Sequence, residues 1–241
     1  MRRFFAPPEH FNADAVTLSA EESRHLCDVL RLKAGDEAQV FDGDGGEFLC
    51  VITEVRKSAA ILRVLDRIEP TAPESVLDLT LAASAYKSDK LDLVVQKAVE
   101  LGVSRFSPIV TFRGEVKLRD TAKRTERWRK IALEATKQCE RAKVMQIEEI
   151  VTFEDYVASV GADRGLRLIF SEKGGGAIPA TAGSTKITAL VGPKGGWEDF
   201  EIDLAAEQGF VPIKLGRRIM RAETAAITFA ALLQHRFGDL H

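Results

Sequence analysis

The sequence predicts an α/β chain in two parts: a small β-rich N-terminal barrel or sandwich, then a larger domain on a mainly parallel sheet covered by helices. Three observations carry this. Short runs rich in Val, Ile, Leu and Phe succeed one another between residues 38 and 65, separated by Gly/Asp turns. From residue 77 onward strand-like and helix-like runs alternate, the pattern of parallel strands joined by crossovers. Between the two parts, Glu69-Pro70-Thr71-Ala72-Pro73-Glu74 sets two prolines among polar residues, as a linker does. The expected domains are residues 1–72 and 73–241.

Taken in order, residues 21–32 read as one short helix, since Leu26, Val29 and Leu30 fit a 3.6-residue period. Strands are expected at 38–41, 47–53 and 59–65, with turns at Ala34-Gly35-Asp36 and Asp42-Gly43-Asp44-Gly45-Gly46. Past the linker, Leu77, Leu79 and Leu81 alternate as a strand. Leu91, Val94, Val95, Ala98 and Leu101 mark a helical face that Gly102 ends. Residues 105–110 form the next strand, and 121–143 a helix with Trp128, Ile131, Ala132 and Ala135 on one side and basic residues on the other. A strand at 166–170 precedes Gly174-Gly175-Gly176. The last stretch reads as strand (187–191), glycine loop (Gly192-Pro193-Lys194-Gly195-Gly196-Trp197), helix, strand (211–215), loop (216–221) and final helix. Both loops leave the carboxyl end of a strand, where open α/β sheets bind ligands.

The net charge of −2 conceals an uneven distribution: residues 111–146 carry 11 Lys/Arg against 5 Asp/Glu. Such a segment is either a local polyanion footprint or a solvated helix face. Cys27, Cys50 and Cys139 are odd in number and lack CxxC spacing, which argues against a disulfide framework or structural zinc. The four histidines form no metal-binding pair, so no metal is expected. The N-terminus has no apolar run of signal-peptide length, and the longest apolar stretch, 224–235, is too short to span a membrane. A cytoplasmic protein without membrane association is expected.

The glycine loop is neither a GxxxxGK[ST] nor a GxGxxG motif. Its glycines allow close backbone approach to a ligand or merely a tight turn. Trp197 either covers a flat base or sits in the core. In Leu215-Gly216-Arg217-Arg218-Ile219-Met220-Arg221-Ala222-Glu223-Thr224-Ala225, two apolar residues stand in an arginine-rich loop, which suits an aromatic ligand such as adenine. Glu223 also fits the first turn of a helix, where an acid offsets the dipole.

These two loops in this order resemble the SPOUT (trefoil-knot) RNA methyltransferases, and more closely the bacterial small-subunit (16S) ribosomal RNA uracil-N3 methyltransferases. Lys97-Ala98-Val99-Glu100-Leu101-Gly102-Val103 is similar to that family's helix ending in Glu-Leu-Gly-Val. Residues 134–141 resemble its Glu-Ala…Gln…Arg helix. His25-Leu26-Cys27-Asp28-Val29-Leu30-Arg31 with Phe41-Asp42-Gly43 resembles its PUA-like RNA-binding barrel. Two departures stand out: Lys194 where the family has an acidic residue, and Met145 where it has proline.

The resemblance implies a PUA-like β-barrel followed by a SPOUT-like α/β knot domain, with the knot at about 187–230, and a homodimer through the knot. It implies S-adenosylmethionine cradled by backbone of Gly192, Gly195, Gly196, Leu215 and Gly216, with Leu190, Ile219 and Met220 against adenine and Thr224 beside them. The reaction would be methylation of a uridine at the base imino nitrogen in small-subunit ribosomal RNA. Arg221 would stabilise charge and orient the target, Glu223 or Glu100 would accept the proton, and Gln138 and Arg141 would hold the uracil or its phosphate. Arg2, Arg3, Arg31, Lys87, Arg113, Lys123 and Arg124, with Arg127 and Lys130, are candidate RNA contacts. Two rivals remain: a SPOUT enzyme acting on a ribose 2′-hydroxyl, disfavoured by Met220-Arg221-Ala222-Glu223-Thr224, and a non-catalytic RNA-binding assembly factor.

Overall fold

The computed structural model describes residues 2–56, 58–86, 90–116, 121–160, 165–180 and 183–241; the candidate contact Lys87 lies outside them. The chain forms two compact units, Met1–Glu74 with Thr136–Val144, and Ser75–Ala135 with Met145–His241. The first break falls beside the proline linker. The excursion of 136–144 into the first unit is one that no shift in composition announces.

In the first unit, β1 (Arg3–Phe5), β2 (Phe11–Asn12), β3 (Ala15–Thr17), β4 (Glu37–Phe41), β5 (Glu47–Glu54) and β6 (Ile61–Ile68) form one sheet in the order β1-β4-β5-β6-β3-β2. Pairing is antiparallel except between β1 and β4. The three longer strands are those expected from the apolar runs; β1 to β3 are too short for a period to register. The expected helix is split, with α1 (Ala20–Arg24) passing into one π turn at His25–Val29. Ser19 caps α1 by accepting the Glu22 N–H at 3.2 Å. Phe4, Val16, Leu26, Val40, Ile52 and Leu62 fill the core between sheet and helix.

Segment 136–144 is fixed to this unit by backbone and by charge. Gly45 donates to the Ala142 carbonyl at 3.2 Å, Val144 to the Gly43 carbonyl at 2.9 Å, and Lys137 pairs with Glu22 at 2.7 Å. Arg3, with its side chain 4% exposed, reaches the wholly buried Glu47 at 2.7 Å and donates to the Arg141 carbonyl at 2.8 Å. Arg141 is itself buried and pairs with Glu74 at 2.6 Å. Arg3 and Arg141 are therefore not presented to an RNA phosphate as expected: both guanidinium groups serve the interior of this unit.

The second unit holds β7 (Asp78–Ser84), β8 (Arg105–Val110), β9 (Gln146–Ile147), β10 (Val151–Thr152), β11 (Leu166–Phe170), β12 (Lys186–Val191) and β13 (Val211–Ile213). All pairings are parallel, in the order β10-β8-β7-β12-β11-β13, with β9 on β8. Helices α2 (Lys90–Glu100), α3 (Thr121–Gln138), α4 (Phe153–Val160), α5 (Asp199–Glu207) and α6 (Ala222–Phe237) supply the crossovers and cover. β7 is buried along nearly its whole length, as a strand covered on both faces must be. α2 buries Leu91, Val94, Val95, Ala98 and Val99, and Gly102 ends it at φ +71°. The Gly102 carbonyl is satisfied by buried Gln234 of α6 at 2.9 Å. α3 stops at Gln138, five residues before the expected end, because Glu140 turns into the left-handed region at φ 66°. α4 and the short β9 and β10 carry no period long enough to have been read. Among the described residues no helix is long and apolar enough to cross a membrane.

Burying Arg3 with Glu47 makes the pair intolerant of losing one member. Glu47→Ala is expected to cost about 3–5 kcal/mol in urea unfolding, because it strands a buried cation, whereas replacing both by apolar residues of similar volume should cost far less.

Candidate active site

Because every strand of the second unit runs the same way, their outgoing loops meet at one edge of the sheet. A cleft opens there between the glycine loop that follows β12 and the arginine-rich loop that follows β13. Gly192, Gly195 and Gly196 form one wall, Ile219 and Met220 the other, and Ala222 and Ala225 of α6 leave room beside them. Of the expected cofactor residues, these five glycine-loop and arginine-loop positions line the cleft. Leu190 is buried in the core beneath it, Leu215 is half-buried, and Gly216 and Thr224 are exposed without lining it. Phe170, Glu172 and Val191 line it too and were missed. Only the end of the strand at 166–170, beside a glycine run, could have hinted at the first two.

The glycine loop is held from three directions. A turn closes from the Gly196 N–H to the Pro193 carbonyl at 3.0 Å, with Gly196 at φ +70°. Trp197 is a core residue, not a lid: it is 1% exposed, donates to the Phe170 carbonyl at 2.8 Å and packs on Phe153. Arg113, expected on RNA, instead donates to the Gly195 carbonyl at 2.6 Å and to Glu198 at 2.7 Å. Glu201 at the start of α5 is wholly buried and accepts the N–H groups of Glu198 at 2.9 Å and Phe112 at 3.0 Å.

Arg221 is exposed immediately before α6, with Arg217 and Arg218 exposed in the loop ahead of it. Glu223, in the first turn of α6, keeps only 12% of its side chain exposed and meets Lys90 at 2.5 Å. Burial works against its charge. The hydrogen bond from Lys90, a backbone hydrogen bond and the charges of Lys90 and Arg221 outweigh that, and hold its carboxyl below the usual range. Its second oxygen is buried without a hydrogen bond among the described residues, as is the hydroxyl of Tyr86. Burial, then the charge of Glu223, pushes the Tyr86 phenol far up, so it remains a donor. The alternative base Glu100 pairs with Lys97 at 2.8 Å.

The four expected catalytic residues are not brought together within one unit. Arg221 and Glu223 belong to the second, Gln138 and Arg141 to the first. Among the remaining candidate RNA contacts, Arg2, Arg31 and Lys123 are exposed, Arg124 donates to the Tyr86 carbonyl at 3.2 Å, Arg127 pairs with Asp92 and Lys130 with Glu126.

A model of the RNA methyltransferase domain matches residues 73–234, and one of the RNA methyltransferase PUA domain matches residues 18–65. The ribosomal RNA small subunit methyltransferase E of Rickettsia conorii is 34% identical over 236 residues, 95% of this chain and 92% of the relative. That of Synechocystis is 32% identical, covering 92% of this chain and 74% of the relative. Among solved structures, a ribosomal RNA small subunit methyltransferase E from Neisseria gonorrhoeae bound to S-adenosyl methionine is 32% identical, with a TM-score of 0.88 and 100% of each chain covered. The two units are accordingly a PUA-like barrel and a SPOUT-like α/β domain.

Two outcomes follow from this geometry. A Cβ at Gly192 would stand 2.8 Å from the Trp197 ring, which cannot retreat while its N–H is bonded. Gly192→Ala should therefore destabilise by about 1–3 kcal/mol in thermal or urea unfolding. The Lys90–Glu223 pair stabilises the fold above the ordinary carboxyl value of 4.5 and loses that contribution as the pH falls through the depressed folded value. The stability gap between the wild type and Lys90→Ala should thus be full at pH 7 and shrink on acidification below about 4.5; a constant gap would refute the coupling.

Proposed function

Since the chain belongs to the RNA methyltransferase family, together with the ribosomal RNA small subunit methyltransferases E, we propose that it methylates a uridine of small-subunit (16S) ribosomal RNA at the base imino nitrogen, using S-adenosylmethionine. The observation that carries this reading is the match along the whole chain to a relative solved with that cofactor. The cleft suits the same ligand. It offers apolar walls at Ile219, Met220 and Val191, glycine backbone and one carboxylate, a donor and acceptor set fitted to a nucleoside.

When bound, the cofactor supplies a methyl group on a sulfonium. Gly192, Gly195 and Gly196 would hold it on one side, with Ile219 and Met220 on the other. The imino nitrogen of uracil carries a proton at neutral pH, so an acceptor is needed. Glu223 is the proposed base in preference to Glu100: it is anionic there, with Lys90 holding one oxygen and the other without a hydrogen bond among the described residues. Arg221, exposed two residues before Glu223, would stabilise negative charge on the uracil oxygens. Gln138 remains a proposed contact to the target. Arg2, Arg31 and Lys123 are the proposed phosphate contacts. A homodimer formed through the second unit would cover Ile219, 87% exposed in this chain, and a cytoplasmic site of action agrees with the proposed substrate.

Incubating unmodified small ribosomal subunits with labelled S-adenosylmethionine and this protein should yield labelled 3-methyluridine on nucleoside analysis. Arg221→Ala should lower turnover about 100-fold or more. A ribose-methylated product would refute the base-directed reading, and no transfer with cofactor binding retained would favour another RNA.

A further inference from the structure

Glu172 stands just past the carboxyl end of β11, and β11 lies between β12 and β13. Since β12 leads into one wall of the cleft and β13 into the other, Glu172 enters from the floor, midway between them. It is the cleft's one acidic lining residue among those described; the others are glycine, apolar residues and Lys194. Its side chain is half-buried, with one carboxylate oxygen lying against Gly196, where an added Cβ would come within 1.9 Å. Among the described residues it makes no hydrogen bond or ion pair. Lys173 pairs with Asp199 at 2.6 Å and Lys194 with Glu115 at 3.8 Å. A carboxylate left with open acceptor capacity beside glycine backbone in a cleft is a ready partner for ligand hydroxyls.

We propose that Glu172 reads the ribose of the cofactor, its two oxygens accepting hydrogen bonds from the 2′- and 3′-hydroxyls. This rests on the reading of the cleft as an S-adenosylmethionine site. The cofactor is an elongated molecule with ribose in its middle. A flat base belongs against Ile219 and Met220, so the group next to it faces the central strand, and that strand presents Glu172. Two vicinal hydroxyls are two donors, and a carboxylate is acceptor-only with two oxygens, the same complementarity by which an acidic residue holds a ribose in dinucleotide sites.

The test is calorimetric binding of S-adenosylhomocysteine and its 2′-deoxy analogue to the wild type and to Glu172→Gln. The wild type should favour the hydroxylated ligand by about 10- to 100-fold, the worth of a hydrogen bond to a charged group, and in Glu172→Gln the preference should fall to about twofold. If Glu172→Gln weakens both ligands equally and keeps the preference, Glu172 meets the ammonium group instead and the proposal is wrong. A wild type indifferent to the 2′-hydroxyl would also overturn it. A wild type that binds neither S-adenosylmethionine nor S-adenosylhomocysteine would overturn the reading of the cleft itself. Without ligand, Glu172→Gln should melt close to the wild-type temperature. A lower melting temperature would mark a structural role and count against the assignment.

Discussion

Parallel pairing throughout the second unit governs nearly everything about the site. Parallel neighbours cannot be joined by tight turns, so each strand must be followed by a crossover, and all carboxyl ends face one edge. Here that edge receives Tyr86 after β7, Phe112 and Arg113 after β8, Glu172 after β11 and both loops of the cleft. β12 is inserted between β7 and β11 although it follows β11 in sequence, and after edge strand β13 the chain returns to lay α6 on α2, β7 and β12. The cleft is thus flanked by the second-last and last strands in the sequence, with an earlier strand between them. Its backbone is locked from below by Trp197 and from the side by Glu201, whose buried charge is compensated by two backbone N–H groups instead of a cation.

Charge is sorted across this edge by burial. The arginines at 217, 218 and 221 stay exposed, while Glu172 and Glu223 are drawn inward. Lys90, at the start of α2, faces Glu223 from another element and keeps it ionised without reaching its second oxygen. Burial, with the charge of Glu223, keeps Tyr86 protonated. In the first unit, by contrast, buried charge is consumed internally. Arg3 pairs with Glu47 and donates to the Arg141 carbonyl, and Arg141 pairs with Glu74, so these charges face one another inside the unit.

That contrast explains what could be read from residues alone. Parallel-sheet strands and α2 were legible because burial on one or both faces writes a period into the sequence, and the two loops were legible as glycine and arginine clusters at strand ends. Burial of a charged residue writes no such signal. Arg3 and Arg141 look like any solvated arginine until their partners, 44 and 67 residues distant, are placed beside them, and exposed Arg113 gives no hint of Glu198, 85 residues distant. Glu172 was silent for the opposite reason: among the described residues it has no partner, so no pairing pattern marks it. The move of 136–144 into the first unit rests on backbone hydrogen bonds, the Arg3 contact to the Arg141 carbonyl and the ion pairs Lys137–Glu22 and Arg141–Glu74, none of which has a compositional trace.

Lys194 is the departure from the resembled family that bears most directly on activity, and its setting limits what it changes. Its ammonium lies 6.0 Å from the Tyr86 ring centre and 3.8 Å from Glu115, with the side chain about half exposed. The loop around it owes its shape to the Pro193–Gly196 turn, to Trp197 beneath and to Arg113 beside Gly195, none of which uses the side chain at 194. A lysine there alters the charge at the rim of the cleft while the glycine cradle keeps its geometry. The negative charge inside the cleft is supplied from β11 by Glu172, independently of what the glycine loop carries. The Pro193–Gly196 turn and the Glu172 carboxylate thus meet in one cleft whatever side chain stands at 194.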